Sequence, residues 1–348
     1  MKAVRLVAPT VVEVTDVPVP EIGPGDVLVR VGGAGLCHSD VHAAHMPELP
    51  FPTPLTLGHE IAGTVAALGS GVDPAAGIGE GTAVVVHLCW SCGVCRACAA
   101  GEDNVCEAAG RMAQPLCPGL GPDGGMAEYV RVPARHVVPI GDLDPVLAAP
   151  LADAGMTPMH AIRSAQDRLG SDATALVIGV GGLGHVAVQI LRATTAARIV
   201  AVDVREDRLE AAVRHGADIA LLADEALEAV LGLTAGRGAD TVLDFAGSQS
   251  SVDLAVEAVA PNGAYRLVGI LGGAPRIVAA PSLGTGWPWG ASLRRTYGGT
   301  RSDLIATVAL AQRGRISVDV ERYPLTEGPA ALARLEAGEV AGRAVLVP

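Results

Sequence analysis

Val-Ile-Gly-Val-Gly-Gly-Leu-Gly at residues 177–184 closes a short apolar run that begins at Ala175 and opens onto His-Val-Ala-Val-Gln-Ile-Leu-Arg-Ala at 185–193. The order is a strand, a turn and a helix, with the glycines at G-x-G-x-x-G. Gly179 permits the tight turn, Gly181 (with Gly182 beside it) lets a pyrophosphate approach the backbone, and Gly184 lets the helix pack close to the strand. The N-terminus of that helix then faces the anion. The motif alone is weak. A second apolar run, 198–202, strengthens it by ending in Asp203, about 20 residues beyond the glycines, where a carboxylate binds both hydroxyls of an adenosine ribose. The same carboxylate repels a 2′-phosphate, so NAD is expected over NADP, with Arg205 positioned to soften the choice. A plain surface acid at a strand end is the alternative for Asp203.

Outward from this motif, apolar strands alternate with helical stretches through Leu271, as in a parallel α/β sheet. Residues before about Pro139 instead alternate short valine-rich runs with Gly and Pro turns, the texture of a β-rich domain. A chain of 348 residues exceeds one ordinary core. The expectation is an α/β protein in which residues 153–286 form a Rossmann dinucleotide-binding domain and residues 1–152 and 287–348 form a β-rich domain.

The β-rich part carries Cys92, Cys95, Cys98 and Cys106 at C-x2-C-x2-C-x7-C. Four soft thiolates at this spacing, in a Gly- and Ala-rich loop with little apolar surface, suit a structural zinc ion that holds the loop together. Cys89 extends the x2 spacing upstream and is an alternative to Cys92 as ligand. A disulfide knot is the competing reading. No hydrophobic leader stretch occupies residues 1–10, so a cytoplasmic, reducing setting is expected. A net charge of -12 without a basic cluster excludes nucleic-acid binding through a zinc ribbon. No apolar run reaches the roughly 18 residues of a membrane span. Lys2 is the single lysine, so no interior lysine is available for Schiff-base chemistry.

Cys37 in GLCHSD, the His59-Glu60 pair in LTLGHE and Asp153 in LADAGMT each follow an apolar stretch. One thiolate, one imidazole and one carboxylate would leave a fourth position open, which distinguishes a catalytic zinc site from a closed one. Taken singly, a core thiol, a strand-end histidine and a helix-capping aspartate explain them as well.

These motifs, together with LADAGMTPMHA and the C-terminal GRAVLV, resemble the zinc-containing alcohol dehydrogenases of the medium-chain dehydrogenase/reductase superfamily, over essentially the whole length. The resemblance implies a GroES-like catalytic domain built from both chain ends, a Rossmann domain between them, and a homodimer or homotetramer. It implies that Cys37, His59 and Asp153 bind a catalytic zinc, where many relatives have cysteine at the Asp153 position. It further implies that Ser39 accepts the alcohol proton and that His42 receives it and passes it to water, with His45 a rival for the second role. Glu60 would moderate the metal charge from beside the ligands. His38 would approach the pyrophosphate, Thr157 and Leu183 the nicotinamide, Arg208 the adenosine ribose, and Arg343 the pyrophosphate. Backbone contacts alone are expected at 244–247 and 268–270.

The reaction so implied is reversible, NAD-dependent oxidation of small apolar alcohols to ketones or aldehydes, with two Zn2+ per chain. An aldehyde or activated-alkene reductase on the same scaffold, and a cofactor-binding protein without turnover, are the alternatives. With two Phe, three Trp and four Tyr in the chain, Leu49, Phe51, Trp90, Leu116, Trp287 and Trp289 are expected to line the substrate cleft. Cys89 and Cys117 are left without a role.

Overall fold

The structure is a computed structural model that describes residues 1–46, 50–73, 75, 77–276 and 286–348. It divides into two compact units, one of Met1–Met156 with Gly298–Pro348, the other of Thr157–Tyr297.

The second unit is a six-stranded sheet in the order Ile219–Leu222, Arg198–Asp203, Thr174–Ile178, Ala239–Asp244, Val259–Leu267, Ser292–Arg295. All neighbours are parallel. Numbered along the chain this is 3-2-1-4-5-6, the doubly wound order. The strand Thr174–Ile178 is buried at every position, as expected for a parallel strand covered on both faces. Its glycine turn leads into the helix Gly184–Thr194. A Cβ at Gly184 would overlap the Gly179 carbonyl oxygen, so only glycine lets the helix begin that close to the strand. The core gathers Leu176, Ile178, Val200, Val202, Val242 and Tyr265.

The boundaries differ from the sequence expectation at both ends. Asp153 to Met156 belong to the β-rich unit, and 287–297 to the parallel unit. The reason for the later boundary is local: Ser292–Arg295 adds the sixth strand, and Trp287, Ala291 and Leu293 pack on the parallel-sheet core. A strand spelled Ser-Leu-Arg-Arg has too weak an apolar pattern to announce itself.

In the first unit Asp26–Gly35 is central, pairing antiparallel with Glu60–Leu68, Tyr129–Pro133 and the C-terminal Arg343–Val347. Both chain ends therefore build one sheet. The alternation of buried Val27, Val29 and Val31 along the central strand supplies a core shared with Leu6, Leu57, Ile61, Val84 and Leu346. Among the described residues no helix is long and apolar enough to cross a membrane.

Candidate active site

Two strand ends and one 3-10 turn bring Cys37, His59 and Asp153 together in the β-rich unit. Cys37 follows the central strand and precedes the helix His38–Ala44. His59 precedes the strand Glu60–Leu68, and Asp153 ends a 3-10 turn at 149–152. One ligand atom from each lies within 4.8 Å of the others. Cys37 Sγ is 3.4 Å from Asp153 Oδ2, and His59 Nε2 is 3.7 Å from the same oxygen. Cys37 and His59 are buried, while Asp153 keeps partial exposure.

The electrostatics of this trio call for a cation. Burial opposes charge on His59, but Asp40 and Asp153 outweigh it and hold the imidazole pKa well above its ordinary value. His59 Nδ1 and Asp40 Oδ1 are 3.5 Å apart, and both are buried without a hydrogen-bond partner. Asp40 is itself fixed by accepting the Cys37 N–H at 2.9 Å. A carboxylate behind the distal imidazole nitrogen orients the ring for metal binding through the other. A sulfur, nitrogen and oxygen donor set with an exposed side fits zinc with an open position.

Glu60 and Arg343 lie directly beside the trio. Arg343 Nε donates to Glu60 at 3.0 and 3.1 Å, and its Nη2 reaches Asp153 Oδ2 at 3.3 Å. Both residues are buried. Burial pushes the Glu60 carboxyl up to about 7, with Arg343 pulling the other way. Arg343, expected on the pyrophosphate, here pairs with the metal-side carboxylates Glu60 and Asp153. The cause is the pairing of Val345 with Gly35, which carries Arg343 in beside the Cys37 turn. Ser39 Oγ is 3.6 Å from Cys37 Sγ. His38 and His42 are exposed on the same short helix, whereas His45 faces Glu336 at 3.4 Å.

The four-cysteine lobe is closed. Its sulfurs stand 3.4 Å (Cys95 to Cys98), 3.9 Å (Cys95 to Cys106) and 4.0 Å (Cys92 to Cys98) apart. Those separations match the edge of about 3.8 Å expected of a tetrahedron with zinc-sulfur bonds of about 2.3 Å, and not a disulfide. Backbone N–H groups of Cys92, Cys95 and Glu107 point at sulfurs. The Cys98 N–H first, then that of Glu107, draws the Cys95 thiol down to about 6, while burial and Cys95 push Cys98 up to about 12. Four thiols that cannot all ionise unaided can do so around a divalent cation. Cys89, the alternative ligand, is buried outside this group, with Gly298 packed against its sulfur. Cys117 is buried against the Pro118 carbonyl.

At the carboxyl edge of the parallel unit, Asp203 accepts the Val180 N–H at 2.9 Å through Oδ2, and the Val204 and Arg205 N–H groups at 2.8 and 3.2 Å through Oδ1. It thereby ties the second strand to the glycine turn. Arg208 Nη1 lies 3.7 Å from Asp203 and beside Gly181, 3.4 Å from where a Cβ there would stand. Gly179, Gly181, Gly182 and Leu183 are half-buried around this turn, and Thr157 is buried within the same unit. Of the residues expected to line the substrate cleft, Leu49 lies outside the described residues. Phe51 and Trp90 pack on the core of the β-rich unit. Leu116 is exposed and pairs with Trp90. Trp287 lies tilted against Tyr265, donates to the Ala291 carbonyl, and packs, partly buried, on the core of the parallel unit. Trp289 is exposed.

Asp40 was missed by sequence reasoning, although it stands three residues after Cys37 in the quoted GLCHSD motif. An acid at the third position of a helix that starts beside a ligand was the available signal.

Known proteins bear on this geometry at the level of both units. Residues 23–142 match the family model described as alcohol dehydrogenase GroES-like domain, and residues 182–313 the one described as zinc-binding dehydrogenase. The NAD-dependent alcohol dehydrogenase of Saccharolobus solfataricus is 35% identical over 369 residues, covering 100% of both chains. The D-arabinose 1-dehydrogenase (NADP(+)) of the same organism is 34% identical over 341 residues, covering 96% of this chain and 94% of its own. The crystal structure of the alcohol dehydrogenase from Aeropyrum pernix superposes with a TM-score of 0.90 at 38% identity, covering 100% of each chain.

Proposed function

The chain belongs to the zinc-binding alcohol dehydrogenase family with a GroES-like domain, and from that premise we propose that it binds two zinc ions and oxidises small apolar alcohols to ketones or aldehydes. It is an NAD-dependent alcohol dehydrogenase, as are full-length relatives at 34% and 35% identity. The observation that carries the reading is the convergence of Cys37, His59 and Asp153 within 4.8 Å at a partly exposed site.

In this reading Cys37, His59 and Asp153 hold the catalytic zinc, and Cys92, Cys95, Cys98 and Cys106 the structural one. Bound at the first site, zinc acts as a Lewis acid that lowers the pKa of the substrate hydroxyl. Ser39, next to Cys37, relays the hydroxyl proton, accepting it while giving up its own toward the cofactor ribose and His42, and the carbinol hydride passes to the nicotinamide of NAD. His42, exposed on the same helix while His45 is engaged by Glu336, passes that proton to water. Asp40 keeps His59 in its ligating orientation, and Arg343 holds the Glu60 carboxylate in its buried position. The glycine turn at 179–184, with the helix N-terminus behind it, receives the pyrophosphate of NAD. Asp203 and Arg208 receive the adenosine ribose, and Thr157, Leu183 and His38 complete the cofactor contacts.

The protein works in the cytoplasm, where thiolates such as those of Cys92, Cys95, Cys98 and Cys106 stay reduced and available to a metal. It assembles as a homodimer or homotetramer; the outer edge of Ser292–Arg295 has no partner strand among the described residues, and an open edge favours pairing between chains. The test is NADH formation, followed near 340 nm, roughly the nicotinamide absorption band, over matched primary, secondary and aryl alcohols and an aldose. Turnover of apolar alcohols well above the aldose is expected. Turnover of the aldose alone, or none with both metal sites filled, would reject the substrate class.

A further inference from the structure

One fully buried acid of the parallel unit serves neither the metal site nor the glycine turn. Asp244 ends the strand Ala239–Asp244, and every acceptor position it offers is used. Oδ1 accepts the N–H groups of Ala246 at 3.0 Å and Gly247 at 2.8 Å. Oδ2 accepts the hydroxyls of Ser251 at 3.0 Å and Tyr265 at 3.1 Å. Its main-chain carbonyl accepts the N–H groups of Val268 and Gly269 at 2.9 and 3.0 Å.

A single residue thus fastens the turn after its own strand to the turn after the neighbouring strand Val259–Leu267. The two turns meet backbone to backbone: a Cβ at Gly247 would overlap the Gly269 carbonyl, and one at Gly269 the Ala246 carbonyl. On its other side the 245–247 turn abuts the glycine turn, with Ala246 N 3.2 Å from where a Cβ at Gly179 would stand. Tyr265 is the largest fully buried side chain. Phenylalanine would fill that volume equally well, so the hydroxyl is there for Asp244. Burial raises the Asp244 carboxyl, and the four donors counter it.

Resting on the NAD reading above, we infer that Asp244, Ser251 and Tyr265 are positioning residues that fix the 245–247 turn as the seat of the nicotinamide half of the cofactor. The assignment to that half follows from the sheet order. The glycine turn takes the pyrophosphate, and Asp203 takes the adenosine ribose on the side of Arg198–Asp203. The carboxyl ends of Ala239–Asp244 and Val259–Leu267 lie across the crossover from it, which leaves them the nicotinamide riboside. Asp244 and its partners touch no reacting atom. They act through the backbone of the turn.

The experiment compares NADH and ADP, which lacks the whole nicotinamide riboside, by fluorescence titration of the zinc-loaded, full-length protein. Tyr265→Phe is expected to raise the dissociation constant of NADH and the KM for NAD by about ten-fold, leaving ADP binding and kcat at saturating NAD within about two-fold. Ser251→Ala should move NADH binding in the same direction. Val252→Ala, a buried cavity in the same helix, should lower Tm at least as much while leaving NADH affinity unchanged. Wild-type NADH affinity in Tyr265→Phe, or equal weakening of NADH and ADP, would overturn the inference alone. Failure of the wild-type protein to bind NADH would overturn the cofactor reading with it.

Discussion

Replacing Arg343 by methionine tests whether the buried charges beside the metal site are held in balance by one another. The guanidinium and the Glu60 carboxylate are both buried, at 2% and 0% exposure, and the side chain bridges to Asp153 as well. Methionine keeps much of the arginine stem but removes the charge. Glu60 would then remain in a site that disfavours its ionised form, still accepting the Ala154 N–H at 3.2 Å but without a counter-ion. Breaking one half of such a pair costs about 3–5 kcal/mol, a large part of the roughly 5–15 kcal/mol that holds a domain folded. At about 2 °C per kcal/mol for a unit of this size, Tm should fall by roughly 6–10 °C. The assay is thermal melting by circular dichroism at pH 8, with zinc content matched between proteins. Glu60→Gln should also lower Tm but by less, because the guanidinium keeps Asp153 Oδ2 at 3.3 Å. The double variant Arg343→Met with Glu60→Gln removes both charges, so its loss should be smaller than the sum of the singles by about 2 kcal/mol or more. Single variants that melt within about 2 °C of wild type, or strictly additive losses, would refute the reasoning.

Cys98→Ser should lower Tm while leaving kcat per folded chain nearly unchanged, since the four-cysteine lobe is closed; loss of turnover at full folding would contradict the division between the two metal groups. Asp203→Ala should weaken NAD by about 30-fold and shift preference toward NADP, as read from KM values for both cofactors. Acid stability carries a signature of His136. Burial first, then the charges of His87 and Arg135, hold its pKa down to about 3 against an ordinary value of 6.5. The unfolded chain therefore takes up the proton first, so stability is intact above pH 6.5 and is lost as pH falls from there toward 3. Between pH 6.5 and 5 this amounts to about 2 kcal/mol, and denaturant midpoints of His136→Gln should show a flatter decline over that interval.

The parallel unit was legible because its chemistry is written in contiguous residues: glycines that only a tight turn needs, and an acid one strand later. The four-cysteine lobe was legible for the same reason, and the structure also removes the ambiguity over Cys89. The open metal site was not, since Cys37, His59 and Asp153 stand far apart in sequence and are joined only through two strand ends and a 3-10 turn; the resemblance to a family supplied what spacing could not. Arg343 shows the limit most clearly. Its neighbours are set by pairing of the last strand with the central one, a contact between chain ends that no local pattern encodes. The sixth strand of the parallel sheet and the packing of Trp287 against its core escaped for a related reason: each depends on packing against a partner strand and not on its own apolar periodicity.

The account rests most heavily on the open site, and zinc content measured alongside turnover addresses it directly. Wild-type protein should contain two zinc ions per chain, one for each group, and form NADH from alcohol. Cys37→Ala should contain one, retain NADH binding, and show no turnover above background. A Cys37→Ala protein that keeps both ions, or that loses one and still oxidises alcohol, would contradict the assignment of Cys37, His59 and Asp153 as the catalytic metal site.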